Sequence, residues 1–387
     1  MVRSIICTVL LFLSSVQAAV SQRPVEVVTL GWAIDTTGSP VREIVRTLLS
    51  YFRLPHPGRT ATPFWSAEEQ ARLPYYDLTA DLLYQGFPAT VVEVTPAVAD
   101  SSLWVVKTLF ARADSNGTNI QPLGLQRLYA RRSANGWQLG SALPVLTERW
   151  REEREGGIVY HYDPTTRFDR ARARLADRFM DSAAAVLGVP RPARVDYYLA
   201  GSFEAVRRLQ GLDWALNRAM VGGQAIPEDN LLFSGAPAIG EAFTHELVHL
   251  VLAAYGPART RHRFVEEGVA TWLGGGSRDP HYRAYVQILA RYQAAHPDST
   301  LRDLLSVFGG DDSPFYASGA VVADAVFRRD GQEGIRRLLA ISPSNDALLA
   351  TLPGLLGISP DTLEQWWRAQ PSRVRSKSPR YGQRPNQ

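Results

Sequence analysis

The sequence predicts an α+β protein in two domains, and three observations carry that expectation. Residues 40–53 have helical spacing of apolar side chains, and a run of strand-like stretches separated by turn signals follows them. Beyond about residue 158 the texture changes to longer helices with short strands between them. Between the two lies a charged stretch, Glu148 to Glu155, closed by Gly156-Gly157. The expected organisation is an N-terminal α+β domain over residues 22–150 and a mainly helical domain with a small mixed sheet over residues 158–370. A basic tail over residues 371–387 completes it.

The first helix is ended by Pro55, Pro57 and Gly58, and a second is expected around Ala67–Leu73. Val91–Val94, Leu103–Ala113, Leu123–Ala134 and Gly136–Leu143 are rich in β-branched and aromatic residues. Asp114-Ser115-Asn116-Gly117 and Ser133-Ala134-Asn135-Gly136 are the turns between them. Helices followed by antiparallel strands are similar in order to the cystatin and nuclear-transport-factor folds. No catalytic constellation lies in this part. Asn116-Gly117-Thr118 is a glycosylation sequon only in a eukaryotic secretory pathway and otherwise reads as a turn.

In the second part, Arg167–Leu187 reads as a long amphipathic helix ended by Gly188 and Pro190, and Val195–Leu199 as a strand. A final helix, Thr362–Ala369, carries Trp366 and Trp367. No internal repeat is visible.

The N-terminus reads as a cleaved signal peptide over residues 1–18: Arg3 gives a positive start, Ile5 to Leu13 is apolar, and Val16-Gln17-Ala18 offers small residues for cleavage. The expected location is therefore secreted or periplasmic. Downstream, nothing approaches the roughly 18 uninterrupted apolar residues of a membrane helix, so no integral span is expected. The one cysteine, Cys7, lies inside the leader, which excludes cysteine ligation, cysteine catalysis and disulfides from the mature chain. The net charge of +4 does not point to nucleic acid. Arg373, Arg375, Lys377, Arg380 and Arg384 sit in the tail, which reads as disordered, and without them and Arg3 the net charge of residues 19–370 is −2.

Chemistry concentrates at residues 241–254, a mostly apolar stretch that reads as a buried helix holding His245, Glu246 and His249. One turn apart on a helix, the two imidazoles lie roughly 6 Å apart along the axis and about 40° around it, so both can reach one metal ion. Zinc accepts such ligands and leaves one position open in catalytic sites. Glu246 is too close in angle to His245 to complete the coordination, but is well placed to take a proton from water. Two satisfied core histidines would be the plain structural alternative, yet burying two histidines and a carboxylate is costly unless something satisfies them. A third ligand is needed, and Glu266 and Glu267 stand as adjacent carboxylates at the start of a helical segment, Phe264 to Trp272. Adjacent helical residues point about 100° apart, so one of the two faces the metal.

These residues resemble the gluzincin metallopeptidases, in particular the peptidase-MA-like domain, over roughly residues 160–345. In that family an acidic residue directly precedes glycine, a small residue and an aromatic. Glu267-Gly268-Val269-Ala270-Thr271-Trp272 stands in that register, which implies Glu267 as the third zinc ligand and leaves Glu266 solvated or touching the ligands from behind. Tyr316-Ala317-Ser318-Gly319 resembles the tyrosine-x-x-glycine helix of aminopeptidase-type members, implying that Tyr316 faces the metal and steadies an oxyanion. Gly222-Gly223-Gln224-Ala225 through Phe233 is either the edge strand that pairs with extended substrate or a plain hairpin.

Two departures qualify the resemblance. Thr271 stands one turn after Glu267, where a carboxylate would orient a zinc histidine. The Gly-x-Met-Glu-Asn segment that grips a free amino terminus is missing, which favours an endopeptidase. His56, His161, His262, His281 and His296 show no ligand spacing and read mostly as surface residues, with His262 the one near the glutamate helix. The expected function is hydrolysis of peptide or protein substrates by zinc-activated water, with Glu246 as general base. A zinc-retaining pseudoenzyme, or a peptide- or glycan-binding protein of the cell envelope, is the alternative.

Overall fold

A computed structural model describes residues 28–54, 62–73, 87–98, 100–114, 116, 119–216, 222–276, 282–306 and 313–376. The leader, Pro55–Gly58, most of the sequon, His56, His281 and residues 377–387 lie outside them.

In chain order the elements begin with β1 (Val28–Leu30), α1 (Val41–Phe52), α2 (Ala67–Arg72), β2 (Ala89–Pro96), β3 (Leu103–Ala113), β4 (Ile120–Ser133) and β5 (Gly136–Gly140). There follow α3 (Ala142–Leu146), β6 (Arg151–Glu155), β7 (Ile158–Tyr162), α4 (Arg170–Leu187), β8 (Val195–Leu199), α5 (Phe203–Leu209) and β9 (Leu212–Ala215). Next come β10 (Gly223–Ile226), β11 (Leu231–Ser234), α6 (Thr244–Leu252), α7 (Arg263–Gly274) and α8 (Tyr282–Ala295). The chain ends with α9 (Leu301–Leu305), α10 (Pro314–Leu339), α11 (Asn345–Leu356) and α12 (Leu363–Ser376).

The fold is α+β, with two mixed sheets, and it groups into two compact units. The first is drawn from Met1–Arg151, His161–Thr166 and Ala200–Arg218, the second from Glu152–Tyr160, Arg167–Leu199 and Ala219–Gln387. The two units interleave along the chain, and neither is one continuous segment. Residues from Ala200 onward return α5 and β9 to the first unit, where β9 pairs with Gly124–Gln126 of β4. The Arg127 guanidinium grips Asp213 of β9 through two 2.8 Å hydrogen bonds.

In the first unit β1 to β5 follow one another across the sheet, antiparallel except for the parallel β1–β2 pair. One face of α1 is buried through Ile44, Val45, Leu48, Tyr51 and Phe52. Phe52 meets Phe110 of β3 at 6.2 Å between rings, and Tyr51 meets Trp65 edge-on at 5.5 Å. The strand expected to run to Leu143 stops at Gly140, and α3 begins two residues later.

In the second unit the sheet order is β10-β11-β8-β7-β6. β11 runs parallel to β8 and antiparallel to β10, which lies at one edge. The charged stretch read as a boundary is β6, at the other edge. Its charges are explained by α4: Glu153 pairs with Arg170, and Glu155 lies 3.5 Å from Arg174. Charged side chains also suit a sheet edge because they discourage further strand pairing.

The last helix runs beyond Ala369. α12 continues to Ser376, so residues 371–376 are helical where a disordered tail was expected. Pro371 should have stopped it, since proline has no N–H for the carbonyl four residues back. That carbonyl belongs to Trp367, and it accepts instead from Gln293 Nε2 of α8 at 3.3 Å. Trp367 is fully buried, and its indole N–H donates to Ser318 Oγ at 3.0 Å, fixing α12 against α10. Among the described residues no helix is long and apolar enough to cross a membrane.

Candidate metal centre

α6 is buried on nearly every side: His245, Glu246, Leu247, Val248, Leu250, Val251 and Leu252 are all enclosed. A helix that is apolar around its whole circumference belongs in the interior, so the polar groups on α6 must find partners there. α7 provides most of them. Its N-terminus is capped by His262, whose Nδ1 accepts from the Phe264 N–H at 3.2 Å while its other ring nitrogen meets Asn345 Oδ1 at 3.0 Å. His262 is thus a buried cap and no part of the polar cluster. His161 is buried as well, so the expectation of surface histidines fails for both. Only His296 of the described remainder is exposed.

Three ligand-type atoms converge where α6 faces α7. His245 Nε2 lies 3.3 Å from His249 Nε2 and 3.3 Å from Glu267 Oε2, and His249 Nε2 lies 3.4 Å from that same oxygen. Four ligands around a tetrahedral ion with bonds of about 2.0–2.1 Å are spaced about 3.3–3.4 Å apart. The triangle therefore has the dimensions of three corners of such a site. His245, His249 and Glu267 are the group among the described residues that could hold a metal ion.

The outer nitrogens settle which way the imidazoles present themselves. His245 Nδ1 lies 2.8 Å from the Gly275 carbonyl, which can only accept, so this nitrogen carries the hydrogen. His249 Nδ1 lies 3.4 Å from a carboxylate oxygen of Glu266 and is oriented in the same sense. In the neutral imidazoles both Nε2 lone pairs then point at the Glu267 carboxylate and at each other. Three electron-rich atoms at such distances repel unless a positive charge joins them. The acid–base behaviour has the same origin. Burial depresses the pKa of both histidines, but the adjacent Glu267 outweighs it, leaving His245 raised and His249 well above the ordinary imidazole value. Burial likewise pushes Glu267 up, yet the two imidazoles bring it far below the usual carboxylate range. As proton or as metal ion, positive charge belongs in this triangle.

Glu246 is 6 % exposed and stands outside the triangle. Its Oε2 accepts from the Ala225 N–H of β10 at 2.8 Å. Burial raises its pKa against the opposing pull of His249 and His245, so its carboxylate is a stronger base than in water. Tyr316 is 6 % exposed, with its ring centred 5.9 Å from that of His245. Glu266 is buried, not solvated, at 7 % exposure. Burial raises its pKa, but His249 and Arg261 reverse the shift and hold it below the ordinary value.

Sequence reading brought forward His245, Glu246, His249, Glu267 and Tyr316, and all five are neighbours here. It missed the Gly275 carbonyl, the Ala225 N–H and Arg261. Backbone groups carry no residue signature. Arg261 follows a short 3-10 turn, Ala258–Thr260, and its distance from Glu266 depends on how that turn folds. Thr271, one turn after Glu267, is fully buried, and the carboxylate that stands behind an imidazole is Glu266, one residue before Glu267.

No protein family matches the chain, and no curated protein matches it. Among solved structures it is similar to an M1 zinc metallopeptidase from Deinococcus radiodurans, at 15% identity and a TM-score of 0.33. A point variant of that enzyme bound to a Tyr-Ser-Ala substrate gives 15% identity and a TM-score of 0.35. In both cases the match covers 73% of this chain and 63% of the other, so this chain spans less than two thirds of their length. At these values the likeness is coarse.

Proposed function

We propose that this chain is a secreted zinc-dependent peptidase that cleaves within peptide chains. The observation that carries the reading is the 3.3–3.4 Å triangle of two imidazole nitrogens and a carboxylate oxygen, with both outer imidazole nitrogens turned to acceptors. On this reading His245, His249 and Glu267 hold the ion. When bound, zinc supplies a Lewis acid that polarises a carbonyl and acidifies water.

The remaining steps are assigned to protein groups. Glu246 takes the proton of the attacking water and returns it to the leaving amine. The Ala225 N–H holds one of its oxygens, so the other does the work. Tyr316 donates to the substrate oxygen as negative charge develops there. β10 lies at the sheet edge beside Glu246, and an extended peptide pairing along it would bring its carbonyl past that carboxylate. Gly223–Ile226 itself carries no acidic side chain to hold a free amino terminus, which favours internal cleavage. Secretion rests on residues 1–18 alone. For the first unit we keep the cystatin-like or nuclear-transport-factor-like reading, supported by α1 lying against a largely antiparallel sheet.

The experiment is a peptide-library digestion with zinc measured on the same sample, run beside Glu246→Gln. Wild type should hold about one zinc per chain and cut internal bonds. The variant should hold the same zinc, stay folded and cut nothing. Wild-type protein without zinc would end the metal reading. Zinc with equal binding of peptides and no cleavage by either protein would favour the pseudoenzyme.

A further inference from the structure

We propose that Arg261 and Glu266 form a positioning relay that sets the metal affinity of the site through His249. The inference rests on the zinc reading above and concerns two residues that reading does not use. Glu266 Oε1 lies 3.4 Å from His249 Nδ1, and the same oxygen accepts from Arg261 Nη2 at 2.9 Å. The Arg261 side chain is 2 % exposed and that of Glu266 9 % exposed. The second terminal nitrogen, Nη1, donates to the Gly256 carbonyl.

A buried ion pair of this kind is a poor source of stability. The desolvation of both charges is large, and an apolar pair of similar volume commonly serves as well. Its placement is what distinguishes it. Both ends of the pair are enclosed, and the pair ends on the nitrogen of a histidine whose opposite nitrogen belongs to the ligand triangle. A carboxylate behind an imidazole fixes its tautomer and its plane and makes the far nitrogen a better donor. Arg261 in turn fixes which oxygen Glu266 offers, because a guanidinium presents its donors in a rigid fork.

The two histidines are thereby treated differently. His245 is backed by a neutral backbone carbonyl, that of Gly275, and His249 by a charged carboxylate. A loop-anchoring salt bridge would explain the Arg261 contacts with Gly256 and Glu266. It would not call for Glu266 to share the same oxygen with His249.

The test is zinc affinity, measured by competition with a chromophoric chelator on full-length protein, with melting curves alongside. The proteins are wild type, Glu266→Gln, Arg261→Met, the double variant, and His249→Ala as reference. Glu266→Gln and Arg261→Met should each weaken zinc by about ten- to a hundredfold. The double variant should lose no more than the weaker of the two, because both act through one contact. Wild-type affinity in both single variants overturns the relay, and so do losses that multiply in the double. If Arg261→Met does not fold, Arg261→Lys replaces it: the charge remains and the fork does not, so affinity should still fall. Full affinity there and in Glu266→Gln overturns the proposal. A different failure marks the underlying reading: wild type without zinc, or His249→Ala binding as well as wild type.

Discussion

Gly268 and Gly319 are in direct contact where α7 crosses α10. A Cβ on Gly268 would lie 2.4 Å from the carbonyl carbon of Gly319, and a Cβ on Gly319 would lie 2.7 Å from the Cα of Gly268. Glu267 precedes the first glycine, and Tyr316 lies one turn before the second. The closeness of this crossing thus governs where both side chains stand.

Alanine at position 268 should force the helices apart. Relief of glycine in a helix favours the variant by about 1 kcal/mol, whereas overpacking against rigid backbone costs about 1–3 kcal/mol or more. The clash should win. Gly268→Ala should unfold at lower denaturant and bind zinc more weakly. Gly354 in α11 is the control, since a Cβ there meets nothing within 4 Å. Gly354→Ala should gain about 0.5–1 kcal/mol. Equal shifts in the two denaturation curves would refute the crossing argument.

The ligand set separates from the base by substitution. Glu267→Gln should abolish or severely weaken zinc binding, because Oε2 is one corner of the triangle. Glu246→Gln should leave the metal titration as in wild type. Comparable loss in both variants would mean that Glu246 belongs to the coordination.

Tyr316→Phe tests the oxyanion role. A donor that acts only as charge develops should lower kcat about a hundredfold while leaving zinc content, fold and KM in place. A hydroxyl that merely satisfies the core would instead cost about 1 kcal/mol of stability and little rate. Full activity with a lowered melting point would remove Tyr316 from the site.

The raised histidine pKa values give a pH signature to the metal-free protein. A group whose folded pKa exceeds its unfolded value stabilises fully below the unfolded value, about 6.5 for histidine, and loses that contribution as pH rises through the folded value. Protein stripped with a chelator should therefore melt lower at pH 8 than at pH 6.5, through His245 and His249. Zinc must displace those protons, so the gain in melting temperature on adding zinc should grow over the same interval. A zinc-induced gain that shrinks as pH rises would contradict the site.

How much of this was legible depended on whether the interaction was local. The helical spacing of His245 and His249 is a property of one turn and could be read directly, whereas helix geometry left Glu266 and Glu267 open and only the family resemblance pointed to Glu267. The mixed sheets could be read only coarsely. β6 looked like a linker because its charges are answered by Arg170 and Arg174 of a different element. The final helix was expected to end at Ala369, yet it runs past Pro371, and the carbonyl that proline leaves without a donor is taken by Gln293, far away in the chain. β9 joins β4 across a long separation that no local pattern announces. The backbone partners of His245 and Glu246 left no trace in residue identity.

α7 holds both imidazoles from its two ends, Glu266 near the first and the Gly275 carbonyl just beyond the last. Between them the helix works as a gauge whose length, more than its composition, keeps the two rings aimed at one point. One residue inserted inside that span would turn its far end by about 100° and advance it about 1.5 Å. His245 would then lose its acceptor while His249 kept its own. The same insertion before Arg261 would pass between elements without altering the gauge. Change can accumulate around this centre, but within α7 the number of residues itself decides whether both imidazoles keep their partners.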